Sequence, residues 1–213
     1  MEDQNYLEFL PEALRYCGSY QNGEIELRSP IEGEEYGILY KDKYVLLIKD
    51  PVIFPTGVSG KYLRLVEAAA LTGRTGTVII PTVDSQVVFV NIFRHATRQW
   101  EWELPRGFQE KDHTTVQNAF KETKEEIDVE PISVESLGTI APNTGMLSGC
   151  AEAFIAIMPS GSLQEMKGQK LESIRAVKGV RIDELDQFLL DHVRCGFSLS
   201  AIFLAKLRGK LPK

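Results

Sequence analysis

The segment GTVIIPTV, at residues 76–83, constrains the fold most, because nearly every position in it is apolar. A strand that is apolar on both faces is typical of a sheet covered on both sides by other elements. A second apolar segment, QVVFVNIF at residues 86–93, follows the first across a short turn at VDSQ. We therefore predict that residues 76–83 form a strand buried on both faces.

The rest of the chain alternates between strand-like and helix-like segments. β-Branched and aromatic residues predict further strands at ILY, KYVLLIKDPVIF, KYLRLVEAA, WEWEL, SVESLGTIA, AEAFIAIM and IRAVKGVRI. Helical spacing predicts helices near residues 6–14, from residue 114 or 115 to about residue 127, and at IDELDQFLLDHV and SLSAIFLAKLRGK. The fold class is α/β (α+β), with a mixed β-sheet and few helices. We divide it into a helical extension at residues 1–37, an N-terminal β-segment at residues 38–75 and a main domain at residues 76–213.

The charge balance limits the class of partner. The 213-residue chain carries a formal net charge of −6. A general nucleic-acid binder needs a basic face to neutralise phosphates, so we expect no nucleic-acid partner. A small phosphorylated substrate stays compatible with this charge, because a bound metal ion can reverse the local sign of a site.

Cysteine usage and hydropathy point to a soluble cytoplasmic protein. Cys17, Cys150 and Cys195 are widely spaced and form no CxxC pair, so neither a zinc site nor a disulfide framework is indicated. The N-terminal sequence MEDQNYLEF lacks the features of a signal peptide, and the apolar runs are too short to span a bilayer. We expect no membrane partner and a cytoplasmic location.

The segment KETKEEIDV, residues 121–129, gathers acidic side chains on the predicted helix that ends near residue 127. At 100° per residue, Glu122, Glu125 and Glu126 fall on one flank, beside a predicted core stripe. That stripe consists of Val116, Ala119, Phe120, Thr123 and Ile127. The pattern has two interpretations: a solvated charged face, or carboxylates that hold a hard cation such as Mg²⁺ or Mn²⁺.

A glycine upstream favours the second interpretation. Gly107 lies fifteen residues before Glu122 and ends the strand–turn segment WELPRG. A glycine lets the backbone bend sharply and expose a carbonyl to an ion. A strand, a glycine turn, a loop and an acid-bearing helix together predict a compact metal site.

The segment ELPRGFQEKDHTTVQNAFKETKEEIDV resembles the Nudix box, G-x5-E-x7-R-E-U-x-E-E-x-G-U, where U is a bulky aliphatic residue. The residues that match are Gly107, Glu122, Glu125, Glu126 and Val129. The departures are His113 for the first glutamate, Lys121 for arginine, Thr123 for the aliphatic residue and Asp128 for glycine. KYVLLIKDPVIFPTGVSGKYLRL, NIFRHATRQWEWELPRG, APNTGM and VRIDELDQFL are similar to segments of the ADP-ribose pyrophosphatase branch. The resemblance covers about residues 43–206.

The resemblance implies a Nudix-type mixed β-sheet sandwiched between helices and a Mg²⁺-dependent hydrolase that cleaves the diphosphate bond of ADP-ribose or a related nucleoside diphosphate sugar. Mn²⁺ is the alternative cation. The implied metal ligands are Glu122, Glu125, Glu126 and the Gly107 carbonyl. A homodimer formed through the N-terminal β-segment is also implied. Because the box is degenerate, the alternative is a nucleotide-binding or regulatory module with weak or no hydrolysis.

The remaining site residues also follow from the resemblance. Candidates for the catalytic base are Glu165 and Glu172 in the loop before the late strand, or a glutamate of the box. Arg94, Glu103 and Arg106 are the candidates for substrate binding, with Arg98 as a further candidate for the phosphates. Trp100 and Trp102 either stack on a base or ribose or pack in the core. Asp128 is expected to take the left-handed conformation that the glycine of the box takes freely.

Overall fold

The computed structural model describes residues 6–169 and 173–211. The chain divides into two compact units, residues 1–74 with 143–149, and residues 75–142 with 150–213. The described residues of the predicted segments 1–37 and 38–75 lie in the first unit, apart from Thr75. The short segment 143–149 joins this unit through the main chain, where Leu65 N donates to Met146 O at 2.9 Å.

The first unit is a four-stranded antiparallel sheet with short 3₁₀ helices before it. The 3₁₀ helices are Tyr6–Phe9, Glu12–Arg15 and Tyr20–Asn22. The strands are β1 (Glu26–Leu27), β2 (Gly37–Lys41), β3 (Val45–Ile53) and β4 (Ser59–Glu67), and β3 pairs with the other three. Helical spacing near residues 6–14 thus corresponds to two 3₁₀ turns separated at Pro11, which has no N–H to continue a helix.

The second unit is built on a seven-stranded mixed sheet. Its core order is β11–β6–β5–β10–β9, with β7 paired to β6 and β8 paired to β5. The strands are β5 (Gly76–Val83), β6 (Gln86–Arg94), β7 (Gln99–Glu103), β8 (Arg106–Phe108), β9 (Ser133–Ile140), β10 (Ala151–Ile157) and β11 (Ile174–Arg181). The helices are α1 (Thr115–Ile127), α2 (Leu185–His192) and α3 (Gly196–Leu207). β5 and β10 run parallel, and the other pairs are antiparallel.

Both faces of the central sheet are covered, as the apolar segment 76–83 predicts. Val78 and Ile80 of β5 pack in one cluster with residues of α2 and α3. Ile79 of β5 packs in the other cluster with Ala119 and Ile127 of α1. Because successive strand residues point to opposite faces, β5 contributes to both clusters and is buried from Thr77 onward. The predicted fold class, a mixed sheet between helices, is confirmed.

Helix α1 begins and ends as its sequence predicts. Thr114 and Gln117 form a capping box, in which Thr114 Oγ1 accepts from Gln117 N at 3.2 Å. Asp128 ends the helix with a φ of 63°, and its N–H bonds to Lys124 O at 2.9 Å. The expected left-handed conformation of Asp128 is confirmed, although the box has glycine there.

The buried face of α1 differs from the predicted stripe. Ala119, Thr123 and Ile127 are buried as expected, whereas Val116 is exposed. Asn118 and Glu126 are buried instead. The prediction for Val116 was wrong because it assigned polar side chains to solvent, whereas specific partners allow polar groups to be buried.

Candidate functional site

The Glu122 carboxyl lies directly against Gly107. A Cβ atom built on Gly107 would be 2.1 Å from Glu122 Cδ, which is far inside contact distance. Gly107 is the middle residue of β8, and Glu122 lies in the third turn of α1. The absence of a side chain at Gly107 therefore lets the acid-bearing helix approach the strand at this point.

Glu126 lies on the same side of α1 and bonds to the neighbouring residue of β8. Its side chain is buried, and its Oε1 accepts from the backbone N–H of Arg106 at 3.2 Å. Residues four apart on a helix lie one above the other, so Glu122 and Glu126 both line β8. Two of the three predicted acidic ligands are thus brought together beside Gly107.

Glu125 has a different environment. Its carboxylate is half exposed and accepts from Lys121 Nζ at 2.6 Å, while Lys121 also lies 3.1 Å from Glu110 Oε1. Burial alone would lower the pKa of Lys121, but the hydrogen bonds to Glu125 and Glu110 outweigh it and raise the pKa. Lys121 therefore binds one acid of the box and one acid of the preceding loop, with a point charge rather than a fork.

The donor set near Gly107 fits a hard divalent cation in its chemistry. Within residues 6–169 and 173–211, no group of three or more His, Cys, Asp or Glu side chains is gathered tightly enough to hold a metal ion. Mg²⁺ commonly uses only one or two protein carboxylates and takes its other oxygens from water and substrate phosphate. Glu122 and Glu126 supply two such carboxylates, and the missing Cβ of Gly107 leaves the room that Glu122 occupies.

The Gly107 carbonyl, predicted as a further ligand, belongs to the pairing of β8 with β5. Gly107 is opposite Thr77, and the Thr77 hydroxyl donates to the Gly107 carbonyl at 3.4 Å. Asn118 Nδ2 in turn donates to the Thr77 hydroxyl at 3.0 Å. This chain of bonds fixes α1 against β5 next to the glutamates.

An arginine-rich cleft of about 380 Å³ opens at the end of the β6–β7 hairpin. All three predicted substrate-binding residues, Arg94, Glu103 and Arg106, line it. Glu103 is buried and binds both arginines: Arg94 through Nε at 3.0 Å and Nη2 at 2.7 Å, and Arg106 through Nε at 3.0 Å. The carboxylate of Glu103 thus holds two guanidinium groups in a fixed orientation.

The electrostatics of this cluster favour the charged forms of Glu103 and Arg94. Burial would raise the pKa of Glu103, but the Arg94 hydrogen bonds and the nearby Arg106 charge lower it below its ordinary value. For Arg94, burial acts to lower the pKa, and the Glu103 carboxylate outweighs it and raises the pKa. Two positive charges against one negative charge leave a net attraction for an anionic ligand.

Arg106 connects the cleft to the glutamates. Its backbone N–H bonds to Glu126, while its side chain bonds to Glu103 and lies over the Phe197 ring at 5.1 Å. The Glu126 charge also acts on Arg94, whose pKa it helps to raise. The predicted metal ligands and the predicted substrate residues are therefore neighbours in space.

The other predicted residues lie outside this cluster or are incompletely described. Glu165 is exposed, in a loop whose Lys167 N–H bonds to Ile127 O at the end of α1, at 3.1 Å. Glu172, the other candidate base in that loop, lies outside the described residues. Their roles, and those of the box glutamates, stay predictions.

The remaining candidates have packing or surface environments. Arg98 bonds to His95 Nδ1 at 2.9 Å and lies over the Phe93 ring. Trp102 packs against Phe188 in the core, whereas Trp100 is partly exposed and stacks with Arg175, 4.2 Å from the ring centroid. His113 Nδ1 lies 3.4 Å from Glu110 in the loop before α1.

The sequence analysis missed a second ion pair in the cleft, formed by Glu101 and Arg194. Glu101 is buried on β7, and Arg194 lies between α2 and α3. The alternation of WEWEL carried a signal for Glu101, because it places Glu101 and Glu103 on one face of the strand. No sequence signal indicated Arg194, because it is 93 residues away from its partner Glu101.

Replacing Gly107 by Ala should lower the diphosphate hydrolysis that the sequence resemblance implies, with little change in thermal stability. The added methyl group displaces a flexible carboxylate rather than backbone, so the fold can adjust. A displacement of about 1 Å near reacting groups can lower a rate by up to about 100-fold, and we expect a loss of at least about tenfold. Turnover and melting temperature are measured beside Gly145→Ala, whose Cβ would make an ordinary contact 3.5 Å from Asn143. Full activity in Gly107→Ala would show that the place of Glu122 is unimportant.

In the described part of the chain, no helix is both long and apolar enough to cross a membrane.

Comparison with known proteins bears on the fold. No protein-family model matches the chain, and no curated protein matches its sequence. Among solved structures, the crystal structure of an ADP compounds hydrolase is similar to it, with a TM-score of 0.61 and 18% sequence identity. The match covers 83% of this chain and 94% of that chain. At this identity the likeness shows a shared fold, which agrees with the mixed sheet between helices that the sequence predicts.

Proposed function

We propose that the protein is a Mg²⁺-dependent hydrolase that cleaves the diphosphate bond of ADP-ribose or a related nucleoside diphosphate sugar. The observation that carries the proposal is the double role of Arg106, whose backbone bonds to Glu126 and whose side chain lines the arginine cleft. Acidic groups suited to a cation and basic groups suited to phosphate thus meet at one residue. The products are a nucleoside monophosphate and a sugar phosphate.

In the proposed reaction, different residues bind the phosphates, hold the cation and accept the proton. Arg94 and Arg106, held by Glu103, bind the phosphates of the substrate and orient them toward β8. Glu122 and Glu126 would hold the divalent cation, which would neutralise the phosphates and activate water when bound. Mn²⁺ is the alternative cation, and Glu125 joins the ligands if Lys121 releases it. The proton acceptor is Glu165, Glu172 or a glutamate of the box.

A substrate panel tests this function. The purified chain is incubated with ADP-ribose, other nucleoside diphosphate sugars and dinucleotides, each with Mg²⁺ or Mn²⁺, and released nucleoside monophosphate is measured. We expect AMP from ADP-ribose with Mg²⁺ and none with a chelator. Absence of monophosphate across the whole panel would rule out the hydrolase.

The second candidate function is a nucleotide-binding or regulatory module without hydrolysis. It is favoured by the ion pair between Lys121 and Glu125, which draws one predicted ligand to a cation of the protein itself. In that case the cleft binds the same ligands and releases no product. Binding and turnover must therefore be measured separately.

Alkylation of Cys195 provides the binding measurement. Cys195 lines the cleft and is half-buried, whereas Cys17 is exposed in the first unit. We expect ADP-ribose, with a chelator present, to slow iodoacetamide modification of Cys195 and to leave that of Cys17 unchanged, as read by peptide mass spectrometry. Protection without AMP release in the Mg²⁺ assay would favour the binding module, and equal modification of Cys195 with and without ligand would contradict binding in this cleft.

We also propose that the chain forms a homodimer, as the sequence resemblance implies. Sedimentation velocity on the full chain tests it, with a dimer expected.

A further inference from the structure

We propose that Arg194 is a third phosphate-binding arginine of the cleft, beside Arg94 and Arg106, and that it makes the cleft selective for a ligand with two adjacent phosphoryl groups over a ligand with one. The inference deepens the proposed function and rests on it for the identity of the site. Arg194 follows the segment VRIDELDQFL and lies in the linker between α2 and α3. It lines the cleft together with Arg94 and Arg106.

Strand β7 supplies one buried carboxylate for each side of the cleft. Glu101 and Glu103 are both buried, and alternation along the strand puts them on the same face, about 7 Å apart. Glu103 holds Arg94 and Arg106. Glu101 holds Arg194, which donates through Nε to Oε2 at 3.3 Å and contacts Oε1 through Nη2. The same device, a buried acid that orients a guanidinium, therefore occurs twice in one cleft.

A third contact fixes the orientation of Arg194. Its Nη2 donates to the Gln99 side-chain oxygen at 2.7 Å, so Gln99 and Glu101 of one strand both accept from this side chain. The Arg194 side chain is otherwise 62% exposed. A guanidinium that is held along one edge and open to the cleft is arranged to bind an incoming anion.

Several guanidinium N–H groups of the three cleft arginines are available to a ligand. Arg94 bonds to Glu103 through Nε and Nη2, Arg106 through Nε, and Arg194 to Glu101 through Nε and Nη2. Among the described residues, no hydrogen bond engages Nη1 of these three arginines or Nη2 of Arg106. The free donors thus come from both ends of the Glu101–Glu103 row.

The charge balance also favours two phosphoryl groups. The cleft is lined by three arginines and two glutamates, which leaves an excess of one positive charge. Without Arg194 the remaining lining would be neutral, and Glu101 would be a buried carboxylate without its cation. Arg194 therefore decides whether the Glu101 end of the cleft attracts or repels a second phosphate.

Titration calorimetry with sodium pyrophosphate and sodium phosphate, in the presence of a chelator, tests the inference without any reaction. Wild-type protein should bind pyrophosphate at least about tenfold more tightly than phosphate, the change expected from an added charged hydrogen bond. Arg194→Gln should remove this preference by weakening pyrophosphate binding about tenfold while phosphate binding changes by less than about twofold. Arg194→Lys, which keeps the charge and loses the fork, should also lose part of the preference.

Arg181→Gln is the matched control. Arg181 is 63% exposed and paired with Asp183 at 2.7 Å, so it resembles Arg194 in exposure and pairing but lies outside the cleft. Its replacement should leave both affinities unchanged. An Arg194→Gln protein that keeps the wild-type preference, with its melting temperature intact, would overturn the inference, even where ADP-ribose hydrolysis supports the proposed function. A wild-type protein without preference for pyrophosphate would overturn it as well, whereas the substrate panel decides the hydrolase separately.

Discussion

Replacing Glu126 by Gln should lower the rate of ADP-ribose hydrolysis with Mg²⁺ by at least about 100-fold, because the proposed metal ligand would lose its charge and with it about 2.7 kcal/mol or more of transition-state stabilisation. The amide keeps the size of the side chain, and its oxygen can still accept from Arg106 N–H. The variant therefore isolates the charge of Glu126 from its packing. Initial rates over a range of Mg²⁺ concentrations measure the effect, and a melting curve confirms that the fold is kept.

Glu125→Gln is the comparison that ranks the acids of the trio. Glu125 is half exposed and bonded to Lys121, whereas Glu126 is buried beside β8. We expect Glu125→Gln to cost less than about tenfold, a loss of about 1.4 kcal/mol in transition-state stabilisation. An equal loss in both variants would mean that Lys121 releases Glu125 to the cation, as the family pattern implies. No loss in the Glu126 variant would remove the acidic trio from the reaction.

The sequence predicts the elements of the fold well where the signal is local. The boundaries of α1 follow from Thr114 as N-cap and from the helix-ending residue Asp128, both of which act within one turn. The burial of β5 on two faces follows from its composition alone. These features depend on residues close in sequence, so no knowledge of the tertiary fold is needed.

The departures from the family pattern could be judged only with the structure. Thr123 stands where an aliphatic residue is expected, and it is buried because its hydroxyl donates to Ala119 O at 2.7 Å within the same helix. Asp128 takes the conformation of the glycine it replaces. These two substitutions are accommodated, whereas Lys121 changes the contacts of an acid in the box.

The sequence indicated Arg94, Glu103 and Arg106 as candidates but not the contacts that join them, and it did not indicate Arg194. Glu103 meets Arg94 because β6 and β7 pair in a particular register, with Arg94 opposite Gln99. Glu101 meets Arg194 only because the linker after α2 reaches the same hairpin. Such contacts depend on the tertiary fold, and helical periodicity cannot indicate that Asn118 and Glu126 are buried polar groups.

Replacing Glu103 by Gln should destabilise the protein by about 2–4 kcal/mol, because two guanidinium groups lose the carboxylate that holds them. The loss stays below that of a fully buried ion pair, since Arg94 and Arg106 are about 30% exposed and retain some water. For a chain of this length, the melting temperature should fall by roughly 5–15 °C. Asp183→Asn, which breaks the exposed ion pair with Arg181, should leave the melting temperature unchanged.

The pH dependence of stability separates the charge of Glu103 from its packing. The folded-state pKa of Glu103 is lowered from its ordinary value of 4.5, so its stabilisation is complete above that value. As the pH falls through the lowered folded-state pKa, the carboxylate becomes protonated and the stabilisation is lost. The difference in unfolding free energy between wild type and Glu103→Gln, measured by urea denaturation, should therefore be constant from pH 7 to about 5 and shrink at lower pH. A difference that stays constant down to pH 3 would show that Glu103 acts through its shape and not through its charge.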